Sequence, residues 1–159
     1  MTDFSALYGK YSRDVFRFAY YLCGNRGEAE DITSATFVRA FASPERIEMA
    51  TMKGYLLTIA RNLFLHGARK KKRHIELTGE YRDPRPGPED EAAGRSELRV
   101  VLERLHELPE IDRAAVVMRA VEEMPYEEIS RALGVPVATL KVKIHRARLA
   151  LAGIRRGKE

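Results

Sequence analysis

The stretch YEEISRALGVPVATLKVKIHRARLAL, residues 126–151, decides how this chain is read. Ile129, Ala132 and Leu133 recur at helical spacing. Gly134 follows them, the residue that most readily takes the left-handed turn closing a helix. Pro136 then suits the first turn of a second helix, where its missing N–H goes unused. Two helices joined by about three residues with a Gly in the turn form the helix-turn-helix pattern. On a wheel of about 100° per residue, Val137, Leu140, Ile144, Ala147 and Leu151 gather on one side of the second helix. Ala138, Thr139, Val142, His145 and Arg146 lie opposite, with Lys141, Lys143 and Arg148 on the flanks. Such a helix can lay its outer side in a DNA major groove while the flanking cations reach phosphates. Thr139 and Arg146 suit base edges, and Val142 suits a thymine methyl. An ordinary surface helix with solvated charges shares this wheel; the coincidence of turn chemistry and charge placement favours DNA.

The bulk numbers agree with an anionic partner. The 159 residues carry a net charge of +5 at a charged fraction of 32%, with 45% apolar residues to build cores. Cys23 is the single cysteine, which excludes an intramolecular disulfide and a cysteine-based zinc cluster. His66, His74, His106 and His145 are scattered, without metal-ligand spacing, and no phosphate-cradling Gly-rich loop or nucleophile elbow occurs. Neither catalysis, a metal nor a cofactor is therefore expected. The first residues, MTDFSALYGKYSRD, lack the pattern of a signal peptide. No apolar run approaches the roughly 20 residues that span a bilayer. The expectation is a cytoplasmic protein with no stable membrane association of its own.

Working outward, periodicity divides the chain. Phe4, Leu7, Tyr8, Tyr11, Val15, Phe18 and Leu22 mark a first helix, stopped at Gly24-Asn25. A second begins near Arg26, with Ala29, Ile32, Thr33, Thr36, Phe37 and Ala40 facing inward, and Ser43-Pro44 ends it. A third runs from about Met52 to Lys72 on Tyr55, Leu56, Ile59, Ala60, Leu63 and Phe64. It ends in RKKKR, residues 69–73, more positive charge than a helix dipole calls for. The acidic stretch ELTGEYRDPRPGPEDEAAGR, residues 76–95, contains Pro84, Pro86 and Pro88 and has little to bury, so it reads as a flexible linker. Leu98, Val101, Leu102, Leu105 and Leu108 open a further helix, with Ser96 as its N-cap. Ala114, Ala115, Met118 and Val121 mark another before the helix pair already described. The expected architecture is all-α: a three-helix unit at 1–75, a linker at 76–95 and a four-helix unit at 96–159.

The C-terminal unit resembles region 4 of bacterial sigma factors, above all those of the extracytoplasmic-function group of the sigma-70 family. The resemblance rests on Leu108-Pro109, Arg113, Tyr126-Glu127-Glu128-Ile129, Leu133-Gly134, Thr139, Lys141 and Arg146-Ala147-Arg148 with Leu151. Ala138 stands where Gly is usual, and Val142-Lys143 where Ser-Arg is common. The N-terminal unit resembles region 2 through Ala29-Glu30-Asp31, Phe37, Ile59-Ala60-Arg61-Asn62 and the basic tail; Tyr55 takes a usual Trp position.

This resemblance implies a subunit that joins core RNA polymerase and directs initiation at particular promoters. It implies −35 recognition by Ala138, Thr139, Lys141, Val142, Lys143, His145 and Arg146. It also implies capture of an unpaired −10 base near the 43–54 loop with Arg61 and Asn62, while Arg69, Lys70, Lys71, Lys72 and Arg73 hold phosphates. Polymerase contact is implied for the outer face of the second helix, at Glu28, Asp31, Ser34, Val38 and Arg39, and a sequestering anti-sigma protein as a further partner. The competing reading is a helix-turn-helix regulator that does not join polymerase. It leaves RKKKR and the first three helices without a task.

Overall fold

A computed structural model of the chain describes residues 4–42, 49–80 and 97–156. The first apolar repeat becomes α1, Phe4–Cys23, which buries Leu7, Val15, Phe18 and Leu22. Gly24 ends it in the left-handed region at φ +70°. Asn25 caps α2, Arg26–Ala42, by accepting the Glu28 N–H on its Oδ1 at 2.8 Å. The two threonines of the α2 stripe are buried because each satisfies its own hydroxyl. Thr33 donates to the Ala29 carbonyl and Thr36 to that of Ile32, both at 2.7 Å.

Helix α3, Met52–Thr78, starts at Thr51, whose hydroxyl accepts the Gly54 N–H at 2.9 Å. It runs past Lys72, where periodicity placed its end, until Gly79 takes φ +72° and donates to the Ile75 carbonyl. Nothing before Gly79 forbids helix, and the prolines begin only at Pro84. Residues 76–78, read as linker, are thus the last of the helix. The rest of that stretch from 81 onward, and the Ser96 cap, lie outside the described residues.

The C-terminal unit comprises α4, Glu97–Glu107, α5, Glu110–Val116, α6, Tyr126–Leu133, and α7, Val137–Arg156. The helix of α5 continues as a π-turn over Val117–Val121, where the Glu122 N–H reaches back to the Val117 carbonyl at 3.0 Å. Periodicity predicts an unbroken α-helix there. The wider turn ends with Glu122 almost wholly buried and Glu123 at φ +57°. No strand occurs among the described residues.

The two units do not stand apart. α1 packs on α4, α5 and the π-turn, and α3 packs on α6, whereas α2 is engaged by α1 and α3. One continuous apolar core results, joining Phe18, Leu22 and Leu57 to Leu105, Met118 and Ile129. This is why Leu57 is fully buried although it lies off the stripe that the sequence assigns to α3.

Candidate nucleic-acid interface and the contact between the units

The turn before α7 forms as the residues require. Gly134 takes φ 66° and ψ 35°, and its N–H and that of Val135 both reach the Ser130 carbonyl, at 2.9 and 3.2 Å. Leu140, Ile144 and Ala147 are then buried, which turns Ala138, Thr139, Lys141, Val142, His145 and Arg146 outward as an exposed face. Val142 is 53% exposed, a large apolar side chain held in solvent among cations. Lys141 leans over the Tyr126 ring, its Nζ 5.3 Å from the centroid. Lys143 differs from the rest of the set. It is only half exposed, and its Nζ lies 3.4 Å from the buried Asp112 carboxylate. It is therefore tied to its own unit.

The basic end of α3 is exposed throughout. Lys71 pairs with Glu28 at 3.1 Å, joining one residue of the phosphate set to one of the polymerase set. Arg69, Lys70, Lys72 and Arg73 have no acidic partner among the described residues. Asp31, Ser34, Val38 and Arg39 share the exposed side of α2, with Val38 57% exposed beside a shallow groove that also includes Leu63. Asn62 is exposed, whereas its neighbour Arg61 is paired within the molecule. Its Nε and Nη2 donate to the two oxygens of Glu110, at 2.9 and 2.7 Å, across the boundary between the units. Tyr55 packs half-buried against the core, and Cys23 is a buried thiol whose Sγ donates to the Asn25 carbonyl at 3.2 Å. Burial pushes the Cys23 thiol up to about 12.

Arg61–Glu110 is one of several polar contacts at that boundary. The Glu122 carboxylate has no exposed side-chain surface. It accepts Arg17 Nε at 2.9 Å and Nη2 at 2.8 Å, and Lys53 Nζ lies 3.1 Å away. The Arg17 guanidinium is held above its ordinary pKa, chiefly by this hydrogen bond with Glu122. Glu128 of α6 reaches the start of α3, accepting the Thr51 hydroxyl at 2.6 Å and the Thr51 N–H at 3.3 Å. Gly54 makes room for it, because a Cβ there would lie 1.8 Å from Glu128 Oε1. An anion at that position also meets the positive end of α3.

The other end of the contact satisfies α1. Helix termini leave carbonyls unpaired, and the C-terminal unit supplies the donors. Arg113 donates to the carbonyl of Leu22, to that of Leu105 at 3.0 Å and to that of Leu108 at 3.4 Å. His106 donates from Nε2 to the Cys23 carbonyl at 2.9 Å. Burial lowers the pKa of Arg113, and lowers that of His106 with help from the neighbouring Arg113 charge. Sequence reasoning singled out none of Arg17, Lys53, Glu110, Glu122 and Glu128 for such a role. The one available signal was Gly54, a weak helix former in a first turn, which marks close approach of another group.

A helix-turn-helix whose recognition face is exposed, joined to a three-helix bundle with a basic tail, defines a two-part nucleic-acid-binding protein. Comparison with known proteins makes the class specific. The family model for Sigma-70 region 2 matches residues 7–74, and that for Sigma-70, region 4 matches residues 98–151. The chain is 36% identical over 156 residues to the ECF RNA polymerase sigma factor SigE of Mycolicibacterium smegmatis, a match covering 95% of this chain and 61% of that protein. It therefore spans less than two thirds of that relative's length. It is 30% identical over 141 residues to EcfG of Rhodopseudomonas palustris, covering 86% of this chain and 76% of that one. The co-crystal structure of the sigma factor RpoE with the anti-sigma factor NepR from Bartonella quintana contains a chain that superposes with a TM-score of 0.81. That match covers 98% of both chains at 25% identity. This chain belongs to the extracytoplasmic-function group of the sigma-70 family of sigma factors.

Proposed function

We propose that this protein is a promoter-reading subunit that joins core RNA polymerase and directs where transcription starts. One observation carries the reading: regions 2 and 4 follow one another along the same chain, and the outer face of the region 4 recognition helix is open to solvent. In this reading α7 lies in the major groove of the −35 element. Ala138, Thr139, Val142, His145 and Arg146 approach base edges, and Lys141 and Lys143 approach phosphates. Lys143 contributes at longer range, because Asp112 offsets its charge.

Region 2 captures the unstacked −10 strand with Arg61 and Asn62, and holds its backbone with Arg69, Lys70, Lys71, Lys72 and Arg73. The exposed side of α2, with Glu28, Asp31, Ser34, Val38 and Arg39, docks on polymerase. Here Val38 and Leu63 supply apolar area and the charges supply orientation. Phosphodiester chemistry stays with the polymerase; this subunit supplies recognition and strand capture in the cytoplasm. The names of its relatives support polymerase as the partner, and the Bartonella complex supports an anti-sigma protein as a second one. A helix-turn-helix regulator that does not join polymerase is not favoured, since it leaves the region 2 match unused. The test is in vitro transcription with core RNA polymerase over a random promoter library. The expected result is a selected pair of −35 and −10 sequences. A library transcribed no differently with and without the protein overturns the reading.

A further inference from the structure

Tyr126, the first residue of α6, carries two cations over one ring. The Arg119 guanidinium carbon lies 4.3 Å from the ring centroid, and the Lys141 Nζ lies 5.3 Å from it. Arg119 belongs to the π-turn, and its Nη1 also donates to the Met124 carbonyl at 3.0 Å. Its guanidinium is thus tied at once to the ring and to the backbone just before α6. The ring itself is half-buried against the core, which restricts its movement. Lys141 comes from the other helix of the pair, α7, and is exposed. Neither cation has an acidic partner among the described residues. We infer that Tyr126 is a positioning residue for −35 recognition: its ring, pinned by Arg119, holds the Lys141 ammonium on the side of α7 that faces phosphates.

The inference deepens the promoter-reading function proposed above and rests on it. An exposed lysine has a flexible stem, and ordering that stem on binding carries an entropic cost. A ring that already attracts the ammonium lowers the cost before DNA arrives. Direction matters as well. In a helix-turn-helix the first helix crosses the DNA backbone while the second lies in the groove. Lys141 is drawn from α7 toward the start of α6, and so toward the backbone rather than the base edges. Left free on an exposed face, the same ammonium also reaches guanine O6 and N7. Tyr126 therefore separates two tasks on one helix. Lys141 grips the strand, and Thr139, Val142 and Arg146 are left to the bases. The π-turn takes part in this, because it sets the point from which Arg119 leaves the helix. Such widened turns recur at functional sites.

The test uses the full chain in complex with core RNA polymerase, on a promoter selected as above. The variants are Tyr126→Phe, Tyr126→Leu, Lys141→Ala and the double variant Tyr126→Leu/Lys141→Ala. Phe keeps the ring and loses only the hydroxyl; Leu keeps apolar volume and loses the ring. Tyr126→Phe should bind as the wild type does. Tyr126→Leu should bind about two- to fivefold more weakly. Its slope of log affinity against log salt should be shallower, by no more than about 0.9, the share of one phosphate. In the Lys141→Ala background, Tyr126→Leu should cause no further loss. A purely structural tyrosine would weaken both backgrounds equally and leave the slope unchanged. On the free proteins, NMR should find the Lys141 ε-methylene protons shifted upfield by the ring in the wild type and in Tyr126→Phe. In Tyr126→Leu they should return to ordinary lysine positions. Ordinary positions in the wild type overturn the inference. So do equal losses with and without Lys141, or a Tyr126→Phe variant as weak as Tyr126→Leu. If the wild type selects no promoter, the proposed function fails, and the NMR comparison still decides whether the ring holds Lys141.

Discussion

Lys143 and Lys141 stand two residues apart on the same helix and are held differently. Lys143 faces the buried Asp112 at 3.4 Å, while Lys141 is exposed over Tyr126. Replacing Lys143 with Ala leaves a buried carboxylate without its cation, so urea unfolding should show a loss of about 1–3 kcal/mol. Lys141→Ala should change stability by less than about 0.5 kcal/mol and weaken DNA binding instead. A second prediction belongs to His106. Its pKa in the folded chain lies below that of a free imidazole, first because of burial and then because of Arg113. Well above pH 6.5, the ordinary imidazole value, the ring is neutral in both folded and unfolded chains and its contribution to stability is complete. As pH falls through that value the unfolded chain takes up a proton that the folded chain resists, so stability drops. The loss levels off once the pH passes the lowered folded pKa. His106→Gln keeps a donor for the Cys23 carbonyl and removes the titration. The melting temperature of wild type should therefore fall more than that of this variant between pH 7 and pH 5.5; parallel curves would refute it.

At the scale of the element, α3 carries most of what sequence could and could not convey. Its apolar stripe was readable because burial repeats with the helical period, and Leu56, Ile59 and Ala60 are indeed buried. The same rule recovered the inward sets of α2 and α7. The face bearing Lys53, Leu57 and Arg61 was not readable, since its two charges look like a solvated side until a second unit is brought against them. The π-turn after α5 had no compositional mark either; regular spacing predicts a regular helix, and only tertiary packing turns Glu122 inward. The basic end of α3 shows both sides of this. Its excess charge was evident from RKKKR, but the tie between Lys71 and Glu28 was not. Removing Arg69, Lys70, Lys72 or Arg73 should therefore lower the slope of log affinity against log salt by about 0.7–0.9 for each phosphate that is no longer neutralised. Lys71→Ala should lower it less. Equal slopes for wild type and a fourfold alanine variant, measured on promoter DNA in the polymerase complex, would remove these cations from the interface.

Across the whole molecule, the boundary between the units combines apolar core with enclosed charge. The apolar part, Leu22 and Leu57 against Leu105 and Ile129, favours contact without direction. The charged part gives that contact a register, because the enclosed Glu122 carboxylate meets both Arg17 and Lys53 there. Lys53→Ala takes away one of the two cations that face this carboxylate, so urea unfolding of the full chain should show a loss of about 1–3 kcal/mol. Glu123→Gln, at an exposed neighbour, should change stability by less than about 0.5 kcal/mol. Equal losses for the two variants would mean that the enclosed charge does not set the register.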